Sequence, residues 1–400
     1  MIMISLRLIA IIRSMPIHRN IRLLAWFNFF EDFRPYAPIA ILYFAQETGS
    51  FTLAMAVTSV SMVSSSIFEV PTGIISDMVG RRRTMMLGSI ASTLCVLFWA
   101  IGGSFWMLAL GSIFAGLGTA FFSGNNDAFL HDTLKQEGKE GEYSHFLGRT
   151  SSLFQVGLGT SALIGGLFAE RALSYAMCSG IVPPMICALL TFFMVEPRVH
   201  ARDSETNVFH HLGKAFQRFR ENGKLRSLSF ASILDYGVGQ AQFWFIPIFF
   251  AAVWPLWAVG IARSLAHAMA FISFWFAGKV IRKLEAFKVL MGGKFISHTV
   301  VLFAFITETV FSPLLICCMS IFFGAKLVSE NTLLQKEFTD EQRATMASIN
   351  QFAGSLVFAI AALGFGFLAD NIGATKTLII SELVLFSGLF WYWKAFKHSS

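Results

Sequence analysis

An all-helical membrane protein with twelve spans is the fold class this sequence predicts, on three observations. Hydrophobic residues make up 55% of the 400 residues and charged residues only 14%, where an average soluble chain carries about 25% charge. Mean hydropathy is +0.63. Twelve runs reach the length of about 20 mostly apolar residues that a spanning helix needs, and Lys and Arg gather in alternate connections between them. Closed β-barrels alternate polar and apolar residues in short strands. Stretches such as TLCVLFWAIGG and SLVFAIAALGFGFLA do not alternate. In lipid the backbone must satisfy its own N–H and C=O groups, which leaves the helix. The 44 Phe and 32 Gly suit lipid-facing and closely packed helices.

The runs cover 21–45, 52–75, 84–103, 105–130, 146–169, 172–195, 227–250, 255–278, 289–308, 309–333, 345–369 and 373–394. If the N-terminus is cytoplasmic, 25 of the 31 Lys and Arg fall on inner segments and two, Arg171 and Lys376, on outer loops. The remaining four (Arg34, Arg263, Lys294 and Lys326) lie inside spans. The positive-inside bias therefore places both termini in the cytoplasm and the chain in a cell membrane, the inner membrane in a bacterium. The net charge of +7 is loop charge; no dense basic–aromatic stripe points to nucleic acid. Five Cys sit in apolar runs without metal-ligand spacing, so neither a metal nor a cofactor is expected.

The longest polar stretch, 196–226, divides the chain into six-span bundles at 21–195 and 227–400, behind an N-terminal cytoplasmic or interfacial segment at 1–20. Within it, Leu212, Ala215, Phe216 and Phe219 share a helical face ringed by Lys214, Arg218, Arg220 and Lys224, the pattern of a basic amphipathic helix on the inner leaflet. His210–His211 has no third ligand near it and reads as linker. The opening MIMISLRLIAIIRS has too short an apolar core and no small-residue cleavage site for a signal peptide. It reads as interfacial, or as lying upstream of a start at Met15.

The two halves repeat each other. Asp132–Gln136 (DTLKQ) matches Asn331–Gln335 (NTLLQ) at an offset of 199, and Gly166–Glu170 (GLFAE) matches Gly366–Asp370 (GFLAD) at 200. Six is an even number of spans, so the copies point the same way across the membrane. They should be related by an axis along its normal, with a cavity between them.

Between the second and third spans stands Gly73-Ile74-Ile75-Ser76-Asp77-Met78-Val79-Gly80-Arg81-Arg82-Arg83. This resembles the loop signature of the major facilitator superfamily, in which Met78 takes the place of a basic residue. Glu69–Gly73 and Gln342–Ser348 are similar to segments of its drug-exporter-type subset. Two further patterns depart from that subset: Ser161-Ala162 stands where the antiporter signature has Gly-Pro, and Ser112 where an intramembrane Arg is common. In the second half, Gly278–Glu285 lacks the Asp–Gly pattern of the loop. The resemblance implies a conformational latch on the cytoplasmic side, built here from Gly73, Asp77, Gly80, Arg81 and Asp132. Physically, Gly73 and Gly80 allow close approach and a tight reversal, Asp77 is placed to face a helix N-terminus, and Arg81 to pair with Asp132.

Charges inside a span cost about 2.5–3.5 kcal/mol each at a helix centre, so each asks for a reason. The resemblance implies that spans one, four, seven and ten line the cavity. They contribute Glu31, Asp32, Arg34, Tyr36, Asp127, Asp235, Tyr236, Lys326 and Glu330. Glu31, Asp32, Asp127, Asp235 and Glu330 are the candidate proton-coupling groups; in particular, two adjacent acids beside one base leave a carboxylate free to load and release a proton. Arg34, Tyr36, Tyr236, Arg263 and Lys326 are the candidate substrate contacts, with Phe27, Phe243 and Trp244 as apolar surface. At helical spacing Glu31 meets Arg34, Asp32 meets Tyr36, Arg263 meets His267, Lys294 meets His298, and Lys326 meets Glu330. The expected function is proton-coupled transport of a small organic solute by alternating access, with export of an amphipathic compound by antiport first. An organic anion or siderophore bound by Arg34, Arg263 and Lys326 is second, and a transporter-fold sensor or accessory subunit third. Partners are the solute, protons and the bilayer, with a monomer as the working unit. Phosphate-binding loops, nucleotide fingerprints and hydrolase triads are absent from the sequence, so an enzyme is not expected.

Overall fold

The computed structural model describes residues 19–197, 219–338 and 343–397, and these form helices without a strand. In chain order they are α1 (Arg19–Glu31), α2 (Ala40–Thr48), α3 (Phe51–Val79), α4 (Arg81–Ile101), α5 (Phe105–Phe122), α6 (Asn125–Gln136), α7 (Tyr143–Arg171), α8 (Leu173–Ser179) and α9 (Val182–Phe193). The later residues form α10 (Gly223–Val253), α11 (Leu256–Leu284), α12 (Ala286–Thr307), α13 (Ser312–Cys318), α14 (Phe323–Glu337), α15 (Arg343–Ile372) and α16 (Ala374–Lys397). Eleven helical stretches among the described residues are long and apolar enough to cross a membrane. The twelfth path is α1 followed by α2. Most of the segment 1–20, the amphipathic stretch as far as Arg218 together with His210–His211, and Gln342 lie outside the described residues.

The first span was expected as one helix over 21–45 and is two. Pro35 and Pro38 have no N–H to give, and their rings crowd the carbonyls four residues back. The chain leaves the helix at Asp32 and crosses 32–39 in turns, with Arg34 N to Asp32 O at 3.0 Å, Ala37 N to Arg34 O at 3.0 Å and Ile39 N to Tyr36 O at 3.0 Å. The Glu31 carbonyl, which Pro35 cannot serve, accepts the Arg34 Nε–H at 3.0 Å. Spans four, six and ten are also broken, between α5 and α6, α8 and α9, and α13 and α14. The α5–α6 joint turns on Gly124 at φ 66°.

The spans run between a near face, bearing Arg19, Arg81 and Lys224, and a far face, bearing Gly49, Arg171 and Lys376. Between the first six spans and the last six, α3 packs on α15 and α7 on α11. Small residues make these crossings possible: a side chain at Gly366 would meet the Phe51–Thr52 backbone, and one at Gly166 or Gly260 the backbone of the other.

Apolar burial is distributed unequally along this axis. Toward the far face one buried cluster joins both halves, from Tyr36, Phe44 and Val57 to Phe245, Phe305 and Phe358. Toward the near face each half has its own: Ile21, Phe27, Met85, Phe129 and Phe146 in the first, Leu225, Leu290, Leu333 and Tyr392 in the second. Over 67–79 the only buried residues of α3 are Thr72 and Ser76, while Ile67, Val70, Ile74 and Met78 are exposed. The halves are therefore fused at the far face and separate at the near face.

Candidate functional site

Two ionisable clusters lie midway along the spans, one in each half. In the first, the break after α1 sets Glu31, Asp32 and Arg34 at a helix end. Glu31 Oε2 accepts from Asn126 Nδ2 of α6 at 2.9 Å. Arg34 sits 3.6 Å from Asp32 Oδ1, with its side chain 41% exposed. This arrangement holds two acids, one partly exposed guanidinium and an amide from span four. Asp127, on the first turn of α6, is exposed. Tyr36 is not stacked on Asp32 as helical spacing implied, because the helix has ended; its ring lies edge-on to Trp99 at 5.6 Å, in the shared apolar cluster. Phe27 is core, against Phe122 at 5.6 Å.

In the second half Lys294 is the centre. Its ammonium lies 2.6 Å from Asp235 Oδ2, 3.6 Å from Glu330 Oε2 and 5.0 Å from the centre of the Tyr392 ring. Helical spacing implied a Lys326–Glu330 pair, but Glu330 turns to Lys294 and Lys326 Nζ donates to Ser297 Oγ at 3.3 Å. Spacing within one helix states which side chains can meet, and a neighbouring helix offers Glu330 a shorter reach. Arg263 does not use His267: it donates to the Phe243 carbonyl and lies 4.1 Å over the Phe243 ring. Tyr236 is 40% exposed and packs where a side chain on Gly354 would stand. Sequence reasoning named Lys294 and His298 without giving them a site. In the structure Glu382 binds His298 Nδ1 at 2.7 Å and Gln242 Nε2 at 2.6 Å.

Three residues of the expected latch, Asp77, Arg81 and Asp132, meet within the first half. Arg81 reaches Asp77 Oδ1 at 3.2 Å, Asp132 Oδ2 at 3.9 Å and Ser76 Oγ at 2.8 Å. Asn125 Nδ2 donates to the Arg81 carbonyl at 2.9 Å. Two expectations are corrected. The carboxylate at the α4 N-terminus is Glu196, which accepts the Arg81 and Arg82 N–H groups at 2.6 and 3.0 Å; Asp77 is instead 70% exposed beside Arg81. Gly73 has nothing within reach of an added side chain, so no close approach occurs there. Gly80, at φ 95°, does make the tight reversal, and Glu196 occupies the space a side chain would need.

Across the halves, among the described residues, the hydrogen bonds lie toward the far face. Asp370, ending α15, accepts from Ser50 Oγ at 2.7 Å, Phe51 N at 2.8 Å, Thr52 N at 3.0 Å and Thr52 Oγ1 at 2.6 Å. Glu170, ending α7, accepts from Trp257 N at the start of α11 at 3.2 Å. Each acid thus caps the first helical turn of a span in the opposite half, where free N–H groups and the helix dipole favour a carboxylate. These are the last residues of the GLFAE and GFLAD repeat; the repeat signalled them, and only the three-dimensional pairing of α3 with α15 and of α7 with α11 gives them partners.

With this geometry the family comparison is decisive. The Major Facilitator Superfamily model matches residues 23–362. The chain belongs to the major facilitator superfamily. Solved members of similar fold include a point mutant of the nucleoside transporter NupG, at TM-score 0.81 and 14% identity, covering 94% of this chain and 100% of that one. A bacterial homologue of the human lysosomal transporter Spinster, inward-facing and unoccupied, is similar at TM-score 0.73 and 15% identity over 98% and 96% of the chains. A D-xylose–proton symporter is similar at TM-score 0.73 and 13% identity over 93% and 95%. Comparison with curated protein sequences gives no match. Superfamily membership, with eleven described apolar spans, makes this a multi-pass membrane transporter rather than an enzyme, with the twelve-helix superfamily topology.

Proposed function

We propose that the chain is a proton-coupled secondary transporter that moves a small organic solute by alternating access. The observation that carries this is the unequal packing: one apolar cluster fuses the halves at the far face, and two separate clusters leave them apart at the near face. The ionisable groups lie between these levels. The bundles are 21–195 and 227–400, and the near face is the cytoplasmic one, with both termini, as the distribution of Lys and Arg supports. The conformation is then open to the cytoplasm. Rocking the halves would break the Asp370 and Glu170 caps and bring the Arg81 cluster toward the second half. Glu31 and Asp32 load the proton, and Arg34 beside them couples its release to solute binding. Export of an amphipathic compound is the first reading of direction and solute, carried by the Glu69–Gly73 resemblance. Lys326, whose ammonium donates to a hydroxyl, favours a second, an organic anion.

Purified protein in liposomes tests this. A pH gradient should drive solute uptake or release, and Glu31→Gln or Asp32→Asn should abolish the drive while leaving solute exchange. Unchanged pH dependence in both variants would overturn the assignment. A binding screen of hydrophobic cations against organic anions separates the two solute readings.

A further inference from the structure

The second half contains a cluster of charged groups in which carboxylates outnumber ammonium groups by one. Three carboxylates, Asp235, Glu330 and Glu382, face two ammonium groups, those of Lys294 and Lys326. Lys294 is paired with Asp235 and Glu330, and Lys326, one turn before Glu330 on α14, donates to Ser297 Oγ of α12. The sum is one negative charge, and while Asp235 is partly exposed, Glu330 and Glu382 are buried, where an unpaired charge is expensive. Glu382 is the most deeply buried of the three at 1% exposure. It accepts from Gln242 Nε2 at 2.6 Å and lies 2.7 Å from His298 Nδ1. The other ring nitrogen, His298 Nε2, is buried and has no hydrogen-bond partner among the described residues.

The geometry points to the His298–Glu382 pair as a proton-binding site, with His298 Nε2 as the atom that takes the proton. Nδ1–H donates to the Glu382 carboxylate and fixes that tautomer. Nε2 then presents a bare lone pair. An N–H bond forms there when movement of the helices brings water to the buried nitrogen and a proton is taken from it, and it breaks when the proton is returned to that water. The loaded ring is an imidazolium against a carboxylate, and the cluster becomes neutral. Gln242, which also donates to Ser381 Oγ at 2.9 Å, keeps the carboxylate aimed at the ring in both states.

The elements around the pair account for the other charges. Asp235 comes from α10, Lys294 from one turn earlier on α12, Lys326 and Glu330 from α14, and Tyr392 from α16. Helices α11 and α13 also touch α12 and carry Arg263, His267, Cys317 and Cys318; Arg263 is turned to Phe243. Helix α15, against α16, carries Asp370, which is committed to Ser50–Thr52.

This deepens the proton-coupling reading and rests on it, and the test separates the two. Full-length protein labelled with nitrogen-15 at histidine is titrated by NMR from about pH 5 to pH 9, and the His298 ring is assigned by its loss in His298→Gln. One ring should pass between doubly and singly protonated forms in this interval, with Nδ1 keeping its proton. Glu382→Gln, which removes the counter-charge but keeps the shape, should move that transition down by at least one pH unit. A His298 ring that does not titrate, or whose transition ignores Glu382→Gln, overturns the inference. Should Glu382→Gln not accumulate, the wild-type titration decides alone. If the ring titrates as described and a pH gradient still moves no solute, the site stands and the coupling reading falls.

Discussion

Replacing Asp370 with Ala should open the far face. In the structure Asp370 accepts two backbone N–H and two hydroxyl hydrogen bonds from Ser50–Thr52. A carboxylate cap of this kind contributes about 0.5–2 kcal/mol, and its interaction with the helix dipole about 0.3–1 kcal/mol. The partners lie in the other half, so the whole contribution belongs to the far-closed state. Helix α3 does not depend on it, because Ser50 Oγ still accepts the Leu53 N–H at 3.3 Å. The far-closed state should therefore lose about 1–3 kcal/mol relative to the open one, or roughly 5- to 150-fold in the ratio of the two. Spin labels at Trp106, exposed on the first turn of α5, and Val310, exposed in the far-face turn before α13, would report it in a background lacking the exposed Cys178. Asp370→Ala should add a population at longer distance, Asp370→Asn a smaller one, and Glu170→Ala, which loses a single bond, less than Asp370→Ala. A wild-type distance distribution in Asp370→Ala would refute the argument.

Three more outcomes follow from the packing. Lys294→Met leaves Asp235 and Glu330 without their shared counter-charge and should cost about 3–5 kcal/mol, read as a lowered thermal unfolding temperature in detergent; a change below about 1 kcal/mol would show that the pair does not sustain the fold. Gly166→Leu places a side chain against the Trp257 and Gly260 backbone, so the same spin-label pair should report separation at the far face, and an unaltered distance would count against close approach there. Glu196→Ala removes the cap of α4 and should cost about 1 kcal/mol of thermal stability, while Asp77→Ala, at a largely exposed carboxylate, should cost less; the reverse order would restore Asp77 to the helix terminus.

What the sequence made legible divides by range. Apolar run length located the spans because a single helix in lipid needs no partner to satisfy its backbone. Local chemistry also held the break of the first span, in Pro35 and Pro38, although the apolar run over 21–45 hid it. Pairings between helices were the part that spacing could not supply. Lys326 and Glu330 lie one turn apart, yet each finds a group on α12 at closer range. Glu170 and Asp370 stood out as a repeat, but the N-termini they cap lie 87 residues ahead and 318 to 320 residues behind in the chain. Asp77, Arg81 and Asp132 were named and do meet, and Glu196 was missed, because a carboxylate in a polar linker carries no mark until the chain returns it to α4.

The interruption of the first span has a mechanical consequence. Residues of α1 are built into the apolar cluster confined to the first half, whereas α2 is built into the one that both halves share. The turn 32–39, which holds Asp32 and Arg34 with Glu31 at its threshold, is the stretch of the first span that joins the two clusters. A tilt that shifted one cluster against the other would bend this turn and so change the spacing of the three charged groups on it.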